Sequence, residues 1–134
     1  MDVPAGHGDV LSRAVELYGL RLADLSGGTV VSRHWRGLSK REHAGAYLVH
    51  LQSETFPQLM TIPGFVRASV LKREVDRGVE FQVITIWESF QAIQAFAGRD
   101  VEAAVVPPVV RGMMVECDER VRHYEIVHAT SGSI

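Results

Sequence analysis

The chain has 134 residues, enough for one domain that buries roughly two-thirds of the surface its unfolded form exposes. Its 14 basic and 16 acidic residues, with no basic cluster, argue against a dedicated nucleic-acid surface or an anionic-membrane binder and point to small neutral partners. The single cysteine, Cys117, closes no internal disulfide, no apolar run approaches a membrane span, and Met1-Asp2-Val3-Pro4 lacks the head of a secretory signal, so a soluble cytoplasmic protein is expected.

Residues 1–28 read as an N-terminal extension, in which Asp9 is placed to cap a helix with Val10, Leu11, Ala14, Val15, Tyr18, Leu22 and Leu25 on one stripe. This helix either docks on the domain or a partner subunit, or is loosely attached. A first strand is expected from Thr29 to Arg36, with Arg33 and Trp35 on one face and His34 and Arg36 on the other. Ser39 and Glu42 have capping-box spacing, so a helix should start at Lys40, carry Ala44, Tyr47, Leu48, Leu51 and Thr55 inward, and kink or shorten near Pro57. A strand from Phe65 to about Val75, the turn Asp76-Arg77-Gly78 and a strand from Val79 to Trp87 form a hairpin. At Ser89 the apolar spacing changes to Phe90, Ile93, Phe96 and Ala97, which is helical, with Ser89 as cap and Gly98 as terminator. Beyond it the pattern predicts a short helical piece over Val101–Val106, a break at Pro107-Pro108, a helix over Val109–Cys117, and a last strand over Val121–His128.

The element order is strand, helix, strand, strand, helix, strand. It predicts an α+β, ferredoxin-like (βαββαβ) fold over residues 29–128: an antiparallel sheet with helices on one face, followed by a flexible tail at 129–134. The opposite sheet face keeps apolar residues, which predicts a homodimer packed sheet against sheet.

In this arrangement the sequence resembles the antibiotic-biosynthesis-monooxygenase family of small dimeric α+β barrels. The resemblance rests on Ile62-Pro63-Gly64-Phe65, the run Phe81 to Ser89 with its Trp87-Glu88-Ser89 junction, Ala95-Phe96-Ala97-Gly98, Val105-Val106-Pro107-Pro108 and His123-Tyr124-Glu125. It spans roughly residues 29–128, and it implies dimers with a pocket between each sheet and its own helices. The family includes cofactor-free oxygenases of phenolic polyketides and haem-degrading enzymes. The haem branch works with a Trp in the second helix, a His ten residues later and an Asn on the first strand; here Phe96 and Val106 occupy the first two places. The chain contains no asparagine, so the Asn of the quinone-forming oxygenases is absent as well. Fold does not carry chemistry with it, and neither residue set is complete.

The candidate substrate pocket lies between helices and sheet, lined by Tyr47, Leu51, Phe65, Val83, Trp87 and Phe96. Trp87 ends the central strand and either edges the pocket or plugs the core. His43, Tyr47, His50 and Glu54 share a helical stripe, a proton-transfer edge or a solvated boundary. His50, His123 and Trp87 are the candidate catalytic groups, with His123 alternatively an interface hydrogen-bonding residue. His43 and His50 lie about ten ångströms apart along a helix and would need a third ligand from elsewhere, so no metal is expected; that no organic cofactor is needed is what the resemblance to the cofactor-free oxygenases implies. Arg67 and Arg73 either hold an anionic substrate or pair with Glu80, and Cys117 reads as packing. Two functions remain open: a cofactor-independent monooxygenase acting on a small aromatic phenol, and a non-catalytic dimeric binding or accessory protein with the same pocket.

Overall fold

The computed structural model describes residues 29–132. The expected N-terminal helix over residues 1–28 lies outside them. Strand β1 (Val31–Ser39) is followed by a helical segment, α1, that starts as a 3-10 turn at Arg41–His43 and continues through Ala44–His50, Leu51–Thr55 and Phe56–Leu59. Strands β2 (Phe65–Val75) and β3 (Gly78–Trp87) form the hairpin, and α2 (Phe90–Ala97) leaves the end of β3 directly. A short α3 (Pro108–Arg111) and strands β4 (Met114–Cys117) and β5 (Arg122–Glu125) complete the chain.

All five strands form one antiparallel sheet in the spatial order β2-β3-β1-β4, with β5 also on β1. This is the ferredoxin-like arrangement with its last strand divided. β4 pairs Gly37, Leu38 and Ser39, while β5 pairs Val31 to His34, so the two pieces share one edge of β1. The helix expected over Val109–Cys117 is therefore corrected: it stops at Arg111, and Met114–Cys117 is strand, because the free backbone edge of Gly37–Ser39 takes up its hydrogen bonds. The helical piece expected over Val101–Val106 is also absent. Its backbone instead bridges Ala103 to Arg120, with Ala104 N–H donating to the Glu119 carbonyl and Val121 N–H to the Glu102 carbonyl.

Ser89 caps α2 as its spacing implies, its hydroxyl accepting from the Ala92 N–H at 3.2 Å, and Gly98 ends the helix at φ 85°. The capping box at Ser39 does not form. β1 extends through Ser39, which pairs with Val79, and the buried Ser39 hydroxyl has no hydrogen-bond partner among the described residues. In α1, Pro57 has no N–H for the Ser53 carbonyl and its ring would press on it. The helix answers by widening into a π turn over Leu51–Thr55, with the Phe56 N–H reaching back to the Leu51 carbonyl.

Period-2 alternation sorts the strands. Val31, Arg33, Trp35 and Gly37 of β1 lie opposite Trp87, Thr85, Val83 and Phe81 of β3 and face the helices. The core on that face has two parts: one of Tyr47, Leu51, Val79, Phe81, Val110 and Met114, the other of Val31, Leu59, Trp87 and Ile93. The other sheet face carries Ser32, His34, Arg36, Glu80, Ile84 and Ile86. Arg36 and Arg73 hold the Glu80 carboxylate at 2.9 and 2.6 Å and keep it below the usual carboxylate range.

Candidate functional site

A partly open pocket lies between the helices and their own sheet. Its floor is Arg33 and Trp35 of β1, Val83 and Thr85 of β3, and Val121. The roof comes from Tyr47, Leu51, Thr55 and Leu59, spaced four apart along α1, with Phe96 of α2. Val105, Val106, Pro107 and Val110 close the remaining side. Aromatic rings stand in both floor and roof: Tyr47 is tilted to Trp35 at 6.1 Å between centroids, and behind the lining it stands edge-on to Phe81 at 5.0 Å. The Trp35 indole N–H donates to the Asp118 carbonyl at 3.0 Å, and Gly37 leaves it room, since a Cβ there would stand 2.4 Å from the indole ring.

Four of the six expected lining residues, Tyr47, Leu51, Val83 and Phe96, border this pocket. Phe65 and Trp87 do not. Trp87 is fully buried in the second core cluster, edge-on to Phe65 at 5.3 Å and stacked on Phe96 at 6.0 Å, with its N–H donating to the Thr85 hydroxyl at 2.8 Å. It plugs the strand-to-helix junction. Phe96 separates it from the pocket, showing one side to Trp87 and the other to the cavity.

Nor does a histidine border the pocket among the described residues. His50 is half-buried on α1 but precedes the pocket-lining Leu51, which turns it about 100° round the helix from the Tyr47–Leu51–Thr55 line. His123, opposite Arg33 in the β1–β5 ladder, does face the helices. Its Nε2 lies 3.0 Å from Arg33 Nη1, and its ring stands edge-on to Phe90 at 5.3 Å. Burial and the Arg33 charge lower its pKa from the ordinary 6.5, against a smaller raising effect of Glu102. The Tyr47 phenol is pushed well above its usual value by burial, so it is a proton donor and not a base at neutral pH. Cys117 packs against the first core cluster, its thiol raised by burial.

The residue that sequence reasoning passed over is Arg33. It is 4 % exposed, lines the pocket and has no carboxylate partner among the described residues. Nη1 donates to the Val101 carbonyl and meets His123; Nη2 donates to the Ala103 carbonyl at 2.9 Å; the guanidinium lies 5.6 Å from the Phe96 ring centroid. Burial pulls its pKa down to about 10, which leaves it charged at neutral pH. These bonds also explain the missing helix over Val101–Val106, since the Val101 and Ala103 carbonyls turn to the guanidinium. The available signal was the shared parity of Arg33 with Val31 and Trp35, three residues of one strand face.

A β2-β3-β1-β4/β5 sheet whose helices enclose a pocket on one face is the protomer fold of the antibiotic-biosynthesis-monooxygenase type of α+β barrel. Among solved structures, a candidate antibiotic biosynthesis monooxygenase from Bacillus cereus is similar at 18% identity and TM-score 0.57, over 80% of this chain and 100% of that one. SnoaB, a cofactor-independent oxygenase from Streptomyces nogalater, is similar at 18% identity and TM-score 0.50, over 78% and 97%. A heme-degrading protein from Mycobacterium tuberculosis follows at 20% identity and TM-score 0.50, over 78% and 100%. No family model and no curated protein matches the sequence. At such identities the likeness concerns the fold.

Proposed function

We propose that this chain is a monooxygenase of the antibiotic-biosynthesis type that oxidises a small aromatic phenol in the pocket over Arg33 and Trp35, without metal or organic cofactor, as a homodimer. The observation that carries the reading is the pocket: an apolar cavity walled by Trp35, Tyr47 and Phe96, in a fold shared with a cofactor-independent oxygenase. In such chemistry the ionised substrate is itself the reductant of oxygen. A phenol and O2 go to a quinone and water, one oxygen atom entering the ring and the other leaving as water. The protein contributes shape, exclusion of water and stabilisation of the anion. Tyr47, held protonated, is suited to donating a hydrogen bond to a substrate oxygen. Haem cleavage is not proposed, because the pocket wall carries Val106, which cannot ligate iron, and Phe96 at the two places where the family resemblance expects a His and a Trp. Sheet-to-sheet dimerisation is supported by the groove on the opposite sheet face, where Ile84, Ile86 and Leu71 lie among Ser32, His34 and Arg67.

The second reading, a binding or accessory protein of the same fold, is favoured by one observation: among the described residues the pocket lining holds no histidine and no carboxylate. Oxygen uptake separates the two. With a hydroxyanthrone as probe, catalysis requires one O2 consumed per quinone formed, at a rate proportional to protein and unaffected by a chelator. Saturable binding without oxygen uptake supports the accessory reading instead. A solution mass of one chain at micromolar concentration would count against the dimer.

A further inference from the structure

A buried cation that lines a cavity and is balanced only by neutral groups is costly to keep, and its cost falls when an anion enters. Arg33 is such a group. A guanidinium has five N–H donors. Two on Nη1 are directed to the Val101 carbonyl and His123, and one on Nη2 to the Ala103 carbonyl. The Nε–H and one Nη2 hydrogen have no acceptor among the described residues; Nε and Nη2 are the pair of nitrogens with which an arginine grips an acidic oxygen or a carboxylate side-on. Every other arginine with a described ion pair, such as Arg36, Arg73, Arg111 or Arg120, meets a carboxylate.

We propose that Arg33 is the anion-recognising residue of the pocket, and that its ligand is an aromatic molecule bearing an acidic oxygen, a carboxylate or an ionised phenol, seated with that oxygen on the free guanidinium edge. This rests on the aromatic-pocket reading above and deepens it by naming the charge of the ligand. The carbonyls of Val101 and Ala103 fix the guanidinium plane, so the fork is pre-organised before a ligand arrives. Phe96 covers the guanidinium and Trp35 lies two residues along the same strand face, which sets an anionic site beside an aromatic one. His123 is a positioning residue, neutral at neutral pH so that its ring nitrogen can accept from Nη1.

The test compares two probes of nearly the same shape, 2-naphthoate and the uncharged 2-naphthamide, titrated into the full chain by calorimetry. The naphthoate should bind about tenfold or more tightly than the amide, the scale of a charge-assisted fork in a desolvated site. Arg33→Gln should bring the two within about twofold of each other. Arg33→Lys, which keeps the charge and loses the fork, should retain part of the preference and guards against a folding defect in the glutamine variant. Equal binding of both probes to the unaltered chain would overturn the role of Arg33 and leave the aromatic pocket standing. Binding of neither would overturn both, and a naphthoate preference that survives Arg33→Gln would place the anion site elsewhere.

Discussion

The two tryptophans sit on the same side of the same sheet and do opposite things. Trp87, at the end of β3, is sealed between Phe65, Ile93 and Phe96 and gives its N–H to a neighbouring hydroxyl. Trp35, on the adjacent strand, is half-buried and forms the floor of a cavity. What differs is the cover. Over Trp87, α2 descends directly from β3 and its apolar stripe lands on the sheet, so the space is filled. Over Trp35, α1 is widened by the π turn before Pro57, and the chain from Val101 to Pro107 is held open by Arg33 instead of collapsing as a helix. A side chain's neighbours in the chain say little about whether it becomes core or wall; the elements arriving overhead decide it.

The sharpest way to break this contrast is to truncate each ring in turn. Trp87→Ala should cost about 3–5 kcal/mol, since it opens a cavity in a filled region, whereas Trp35→Ala should cost only about 1–2 kcal/mol because its cavity already exists. Urea unfolding of the two variants checks this, and equal losses would mean that the two ends are packed alike. Next in size is an effect on binding alone. Val106→Phe should fill the hollow end and weaken 2-naphthoate by more than about tenfold, while the unfolding free energy changes by less than about 1.5 kcal/mol. The corresponding enlargement at the sealed end, Ala92→Phe, should instead destabilise the chain, since Ala92 already packs against that cluster.

The smallest expected effect is on pH dependence. His123 faces Arg33 from β1, Glu102 from the loop and His34 across the sheet, and its folded pKa lies below the ordinary 6.5. The unfolded chain therefore binds its proton first as pH falls. Stability from this group is complete above about 6.5 and declines below it, toward the lower folded value. His34, lowered by burial and by Arg122, adds in the same direction. The melting temperature should drop between pH 7 and pH 5, and His123→Gln should flatten part of that slope. An unchanged slope would mean that His123 is not held neutral against Arg33.

Much of the fold is written in local pattern. The hairpin at Asp76-Arg77-Gly78 and the junction Trp87-Glu88-Ser89 are short-range signals, and both fold as their residues demand. Where long-range partners decide, pattern fails. Met113-Met114-Val115 reads equally well as helix or strand, and only the open edge of Gly37–Ser39 selects strand. Ser39 has the side chain of a helix cap, but the ladder to Val79 claims its backbone first. For the site, spacing along α1 brings Tyr47 and Leu51 to the pocket, yet the same spacing cannot tell Leu51 from its neighbour His50 as the inward residue without knowing where the sheet lies. Arg33 was hidden for a related reason. An arginine on a strand reads as surface until the carbonyls of Val101 and Ala103, roughly seventy residues away, are seen to surround it.

The most direct measurement follows the two indole N–H resonances of the 15N-labelled protein during titration with 2-naphthoate, assigned through Trp35→Phe. The Trp35 signal should move progressively and saturably while that of Trp87 stays nearly still, because only the hollow end admits a ligand. A Trp87 signal that shifts as much as Trp35, or a Trp35 signal unmoved at saturating probe, would contradict the division of this sheet face into a sealed core and an open pocket that takes the proposed ligand.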